Sequence, residues 1–230
     1  MTRSQILANL HTSLASNRPW LESVANSAPH TIPPYVMPAA DDLVEQFAAE
    51  LRTIAGKVYV VADERAALNQ IAALLAERPS PQIIAWDVEQ IGLAGLPALL
   101  EAHGVTLAAS DLHGASRSAH LQNMEPLAIC ISGVEAGIAE SGSLVLRHGP
   151  GRPRLASLLA PCHIAILRRS QLVRGLGEAL ALLRNRYDEA IFTTTSNLTL
   201  ITGPSRTADI EMTLSLGIHG PPEVHVILVG

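Results

Sequence analysis

The chain has 230 residues, of which 48% are apolar, so it is long and apolar enough to form one sizeable core. Its formal net charge of −5 argues against nucleic-acid binding. Its single lysine, Lys57, lies in a strand-like run, so a P-loop or Schiff-base lysine is not expected, and two cysteines are too few for an iron–sulfur cluster. The N-terminus lacks the apolar segment of a secretion signal, and no apolar stretch is long enough to span a membrane, so we expect a soluble cytoplasmic protein.

Residues 1–40 are predicted to form a helix followed by a proline-rich arm. Apolar side chains recur at helical spacing near the N-terminus, whereas residues 26–40 contain four prolines, which neither a helix nor a central strand tolerates. Residues 41–230 are predicted to form a single domain. It begins with a helix that starts at residue 43 and ends near Gly56, for which the Asp41–Asp42 pair provides the cap.

Short apolar runs alternate with helical patterns in the rest of the chain. The runs predict strands at 57–62, 82–86, 105–108, 127–132, 143–147, 163–168, 198–202 and 224–229. Helical spacing predicts helices at 64–78, 96–103, 172–186 and 207–216. Because apolar runs without polar alternation are typical of strands covered on both faces, we predict an α/β fold with an open, mostly parallel sheet and helices on both faces.

Polar, glycine-containing segments follow several of the predicted strands, at 110–114, 133–135, 147–152 and 203–206. Ligands of open α/β sheets bind beyond the carboxyl ends of the strands. We therefore hypothesise that these four loops converge at one edge of the sheet. Together they would form a cleft rich in arginine, histidine and carboxylate.

The segment around Glu140 places one carboxylate at a Ser141–Gly142 turn that leads into a predicted buried strand. Glycine permits a tight turn or the close approach of a ligand. A carboxylate in this position could be a general base, a covalent nucleophile or an orienting group. The alternative is that Glu140 accepts hydrogen bonds from the turn or pairs with an arginine. We take Glu140 as the candidate catalytic residue, and Ser141 and Gly142 as candidate ligand-binding residues.

A second candidate site consists of Gly203, Ser205, Arg206 and Asp209, where a strand is predicted to turn into the start of a helix. Backbone N–H groups at a helix start favour anions, and Arg206 adds a forked donor for carboxylate or phosphate. The alternative is capping, with Ser205 satisfying the first turn and Asp209 complementing the helix dipole.

Three further loops contain candidate residues. Arg147 begins a basic loop that could bind an acidic ligand, and His219 lies in a glycine- and proline-rich loop before the last predicted strand. Asp111 and His113 could reach one metal ion from a strand end. Ordinary solvated loop residues are the alternative in each case.

Three stretches of the sequence resemble the LUD-domain family: 133–146, 158–173 and 201–229. The last is the most specific, with Ile201-Thr-Gly-Pro-Ser-Arg-Thr-Ala-Asp-Ile-Glu211 followed by Leu216-Gly-Ile-His-Gly-Pro221. Ser141 and Ser143 stand where we expect threonine in many relatives, a substitution that keeps the hydroxyl. The resemblance implies a fold similar to the NagB/RpiA/CoA-transferase group and a part in the oxidation of L-lactate to pyruvate.

The resemblance also implies two partner proteins of the same lactate-utilisation system, which are expected to carry the iron–sulfur clusters. We therefore expect no cofactor and no metal on this chain. The leading hypothesis is a non-redox subunit that binds a small carboxylate or its partner proteins through an edge containing Glu140, Arg206 and His219. The alternative is an acyl-CoA-dependent transferase-like enzyme, because Glu140-Ser141-Gly142 is similar to the glutamate turn of CoA transferases.

Overall fold

A computed structural model describes residues 2–27, 35, 40–108, 117–188, 195, 197–208 and 214–230. The chain divides into two compact units, Met1–Pro33 and Pro34–Gly230. In the first unit, helix α1 (Arg3–Ser27) is longer than the sequence predicts, and its described side chains are exposed. Most of the predicted proline-rich arm lies outside the described residues.

The second unit contains the remaining helices and all of the described strands. The helices are α2 (Leu43–Thr53), α3 (Glu64–Glu77), α4 (Val88–Ile91), α5 (Leu96–Ala102), α6 (Arg117–Met124) and α7 (Leu176–Tyr187). The strands are β1 (Lys57–Val61), β2 (Gln82–Ala85), β3 (Thr106–Leu107), β4 (Ile129–Gly133), β5 (Ala136–Ile138), β6 (Ser143–His148), β7 (Cys162–Arg168), β8 (Leu172–Val173), β9 (Asn197–Ile201), β10 (Arg206–Ala208), β11 (Leu214–Leu216) and β12 (Glu223–Val229). Within the described ranges, every helix is too short or too polar to cross a bilayer.

Side-chain caps start the two helices that flank β1. The Asp42 carboxylate accepts a hydrogen bond from the N–H of Val44 at the start of α2, and Asp63 accepts one from Ala66 at the start of α3. One face of α2, which includes Phe47, is buried in the core. Capping and apolar spacing together explain why the sequence predicts both helices closely.

The main sheet has parallel strands in the order β1-β12-β7-β4-β2-β3. Its central strands β4 and β7 are almost completely buried, as expected for strands covered on both faces. The predicted α/β fold with a mostly parallel sheet is therefore confirmed. The core consists mainly of aliphatic side chains from these strands and the helices that pack against them.

A second sheet contains strands in the order β8-β5-β6-β9. In it β6 pairs antiparallel with both β5 and β9, whereas β5 and β8 are parallel. The apolar runs at 143–147 and 198–202 are thus strands, as predicted, but they belong to this smaller sheet. The helix predicted at 172–186 begins only at Leu176, because β8 occupies its first two residues and Gly175 precedes the helix.

The helix predicted at 207–216 is wrong at both of its described ends, 207–208 and 214–216, which are strands. Residues on both sides of the undescribed segment 209–213 form strands β10 and β11, which pair antiparallel. The physical reason is visible in the sequence: the apolar residues Ile210, Met212, Leu214 and Leu216 alternate with a period of two, which is the strand period.

Candidate functional site

Because the strands of the main sheet are parallel, their carboxyl ends form one edge of the sheet and their amino ends form the opposite edge. The predicted loops 133–135 and 147–152 meet at the carboxyl edge. Just after β2 ends, the N–H of Asp87 donates a hydrogen bond to the carbonyl of Gly151 at 2.8 Å. Two of the four predicted loops are therefore brought together.

The loop at 203–206 lies at the opposite, amino edge. The N–H of Ser205 donates to the carbonyl of Pro221 at 2.8 Å, shortly before β12 begins. The hypothesis that all four loops converge at one edge is therefore wrong. The two loops separate because β9 runs antiparallel to β6. The loops that follow these two strands therefore leave from opposite ends of the β6–β9 pair. The loop at 110–114, with Asp111 and His113, lies outside the described residues.

At the carboxyl edge, one buried carboxylate is surrounded by basic side chains. Glu135 follows β4, and its side chain is 5% exposed. Its Oε1 accepts hydrogen bonds from Arg152 at 2.6 Å and from Arg147 at 3.2 Å, and its Oε2 accepts one from Arg186 at 2.9 Å. The Tyr187 hydroxyl donates to the same carboxylate at 2.9 Å. We call these five residues the carboxyl-edge cluster.

Aromatic rings hold two of these arginines in place. The Arg147 guanidinium, in β6, lies 4.0 Å from the centre of the Tyr187 ring, and the Arg152 guanidinium lies 5.7 Å from the centre of the Trp86 ring. Arg152 also donates to the side-chain oxygen of Gln90 at 2.8 Å. Each guanidinium is thus fixed by a ring as well as by a hydrogen bond, which gives the cluster a defined geometry.

At the amino edge, a cavity of about 220 Å³ contains three of the predicted ligand-binding residues: Gly203, Ser205 and His219. We call it the amino-edge cavity. Its polar side chains are Ser157, His163, Thr199, Thr202, Ser205 and His219. A cavity of this volume suits a ligand much smaller than a drug-sized molecule.

His163 in the wall of this cavity is completely buried. Burial lowers its pKa to about 3, so its imidazole is neutral at physiological pH. Its Nε2 forms a hydrogen bond with the Ser132 hydroxyl at 2.8 Å, whereas its Nδ1 has no partner in the described part of the chain. His163 is not among the residues that the sequence predicts to bind a ligand. The signal that could have found it is a histidine inside the apolar run of β7.

The Glu140 turn lies next to the cavity, but the Glu140 side chain faces elsewhere. Hydrogen bonds join the hydroxyls of Ser141 and Ser143 at 2.8 Å and those of Ser143 and Thr202 at 2.7 Å, so the turn is connected to the cavity wall. The Glu140 carboxylate packs against Gly175, where an added Cβ would lie 2.8 Å from its Oε1.

The remaining predicted residues lie apart from one another. The exposed Arg206 donates a hydrogen bond to the carbonyl of Ile54 just after α2, and Arg147 belongs to the carboxyl-edge cluster. Asp209 is outside the described residues. Among the residues that are described, no three His, Cys, Asp or Glu side chains form a group that could hold a metal ion.

Comparison with known proteins gives a consistent result. The family model of the LUD domain matches residues 44–229. The Lactate utilization protein C of Geobacillus sp. is 32% identical over 159 residues, which cover 68% of this chain and 65% of that protein. The protein of the same name from Exiguobacterium sp. is 33% identical over 192 residues, which cover 82% of this chain and 78% of that protein. The chain thus spans slightly less than two thirds of the Geobacillus relative.

One solved structure shows the same fold. It is a crystal structure of a DUF162 family protein from Deinococcus radiodurans, with a TM-score of 0.58 and 22% sequence identity. The match covers 84% of this chain and 100% of that one. The likeness therefore extends over most of the α/β architecture described above.

Proposed function

The chain belongs to the LUD domain family, and from this premise we propose that it is a non-redox component of a lactate-utilisation system in which L-lactate is oxidised to pyruvate. The names of the Geobacillus and Exiguobacterium relatives support a role in lactate utilisation. We further propose that the amino-edge cavity binds a small 2-hydroxy acid or the corresponding keto acid.

A small cavity with a polar lining, which contains Ser205 and His219, is the observation that carries this proposal. The buried His163 in its wall has an Nδ1 without a partner in the described part of the chain, and such atoms are rare in native proteins. The hydroxyl of Ser205 and the imidazole of His219 are suitable donors for the carboxylate.

The sequence block with the most specific family resemblance, residues 201–229, supplies eight of the thirteen residues that line the cavity. It includes the Gly203–Ser205 turn, the loop at His219 and the start of β12. The family signature and the cavity thus coincide in the same part of the chain, which supports the cavity as the functional site.

We propose that partner proteins carry the redox centres, as iron–sulfur clusters. Both cysteines of this chain are buried, and burial raises the pKa of the Cys162 thiol to about 11, which disfavours the thiolate that binds a metal. In this arrangement the chain holds the organic acid while electrons leave through its partners. Purification of the native assembly with metal analysis of the co-purifying proteins would test this part.

Calorimetric titration of the isolated chain with L-lactate and with pyruvate tests the binding site. We expect Ser205→Ala to weaken the affinity about tenfold or more, because a hydrogen bond to a charged group is lost. The matched control is Ser170→Ala, at an exposed serine after β7. Absence of binding by both L-lactate and pyruvate, or equal affinities of the two variants, would contradict the site.

The same preparation tests the non-redox role. We expect no pyruvate to form from lactate when the isolated chain is supplied with an artificial electron acceptor. Robust oxidation by the chain alone would contradict this role while leaving the binding site in place.

A further inference from the structure

The carboxyl-edge cluster contains more positive charge than its own acid can balance. In the described part of the chain, the ion pairs of Arg147, Arg152 and Arg186 all lead to the Glu135 carboxylate. Three guanidiniums pair with one carboxylate, which leaves an excess of two positive charges among the paired groups. The Asp87 carboxylate lies beside Gly151, but it forms no ion pair with these arginines in the described part of the chain. Two of the arginine side chains, Arg147 and Arg152, are only 10% and 15% exposed. Water therefore provides little compensation around these two guanidiniums, whereas Arg186 is 43% exposed and partly hydrated.

Several donors of the cluster have no acceptor among the described residues. Arg147 uses its Nε and Nη1, and Arg186 uses one Nη1, so the Nη2 groups of both are available. Beneath Arg152, the indole N–H of Trp86 is also without an acceptor, although this side chain is 1% exposed. An oxyanion between Arg147 and Arg186 would provide acceptors for their two Nη2 groups.

The position of the cluster is the usual one for a ligand of this fold class. It lies beyond the carboxyl ends of β2 and β4, two neighbouring parallel strands in the main sheet. The amino-edge cavity lies at the opposite edge. The two sites therefore share no residues and can be tested separately.

We infer that the carboxyl-edge cluster is a binding site for a doubly charged oxyanion, such as a phosphate monoester or a dicarboxylate, held by Arg147, Arg152 and Arg186. A dianion balances the two excess charges, whereas a monocarboxylate balances only one. Guanidinium groups recognise phosphate and carboxylate in the same forked geometry. Glu135 and Tyr187 hold the arginines in position for the ligand.

Calorimetric titration of the full chain at low ionic strength tests this site, with inorganic phosphate and succinate as dianions and acetate as the monoanion. We expect at least one dianion to bind, with acetate about tenfold weaker or more because it leaves one charge unbalanced. The better of the two dianions identifies the ligand as phosphorylated or dicarboxylic. Binding of neither dianion, or equal binding of acetate, would overturn the inference.

A variant with a matched control places the binding at the cluster. Arg186 is 43% exposed, so Arg186→Gln should leave the fold intact, and we expect it to weaken binding of the better dianion about tenfold or more. Arg184→Gln, at an exposed arginine of the same helix, should have no effect. Equal affinities of the two variants would overturn the inference.

A competition experiment separates this inference from the proposed function. Saturating lactate should not displace the bound dianion, because lactate is assigned to the amino-edge cavity. Displacement would show that the two ligands share one site and would overturn the assignment of a separate dianion site. Failure of lactate to bind would leave the dianion result unaffected.

Discussion

Two glutamates at opposite edges of the main sheet are each surrounded by basic side chains, but they differ in their access to water. Glu135, at the carboxyl edge, has a side chain that is 5% exposed and is paired with three arginines. Glu223, at the amino end of β12, is 32% exposed. It accepts hydrogen bonds from Arg78, Lys57 and His225.

Exposure to water determines whether the positive charges around each glutamate need a further anion. Around Glu223 the cations are partly exposed, with Lys57 at 54%, so water compensates any imbalance of charge. Around Glu135 two of the three guanidiniums, Arg147 and Arg152, are largely removed from water, and a bound anion would balance their charge. Similar sets of side chains thus form a partly solvated ion pair at one edge and an anion site at the other, because burial differs.

The largest effect that this comparison predicts follows from removal of the buried acid. We expect Glu135→Ala to lower the free energy of unfolding by about 3–5 kcal/mol in buffer without divalent anions, since removing one partner strands the buried charge of the others. Urea unfolding followed by circular dichroism measures this change. Glu223→Ala is the matched control and should cost about 1 kcal/mol or less, because its cations are hydrated. Equal decreases in the free energy of unfolding of the two variants would contradict the difference between Glu135 and Glu223.

A second effect concerns the amino edge, where backbone packing supports the cavity wall. Gly142 has a φ of +62°, and an added Cβ would lie 2.5 Å from the backbone nitrogen of Leu51 in α2. We expect Gly142→Ala to cost about 2–4 kcal/mol from combined backbone strain and overpacking. Gly104→Ala is the control, since its φ is +66° with nothing within 4 Å of the added Cβ, and it should cost about 1 kcal/mol from strain alone. Thermal unfolding of the two variants compares these costs.

The sequence is sufficient to predict most local structure of the second unit. Apolar runs and side-chain caps predict the central strands and helices α2 and α3, because these signals are local. Strand direction and sheet membership depend on pairing between distant segments, which no single run contains. For this reason the separate sheet of β6 and β9 was not predicted, and the candidate loops were placed at one edge of the main sheet.

The candidate sites show the same limit. Ser205 and His219 were predicted to bind ligand from their glycine- and proline-rich loops, and the structure places both in one cavity. The roles of Glu135 and Arg186 were not predicted, because these residues are 51 positions apart in the sequence and meet only through the fold. Sequence alone does not show which distant charged residues form an ion pair.

The smallest predicted effect is the acid sensitivity of the partly exposed Glu223. The hydrogen bond from Arg78, with further contributions from His225 and Lys57, lowers the pKa of Glu223 from its ordinary value of 4.5 to about 2. Because the pKa is lower in the folded state, this group stabilises the fold above pH 4.5, and the contribution is lost as the pH falls from 4.5 towards 2. After allowance for solvent screening, we expect a contribution of about 1 kcal/mol.

Urea unfolding of the unmodified chain and of Glu223→Gln, at pH 7 and near pH 2, measures this contribution. The variant should be less stable by about 1 kcal/mol at pH 7, and most of the difference should be lost near pH 2, where the carboxylate is protonated in the unfolded chain and about half protonated in the folded one. Glu89→Gln, at an exposed acid of α4, controls for the loss of one surface charge. Added salt should reduce the pH 7 difference, because the cations around Glu223 are hydrated. A difference that persists unchanged at both pH values and in salt would show that Glu223 is shielded from water as Glu135 is, and would remove the contrast between the two edges.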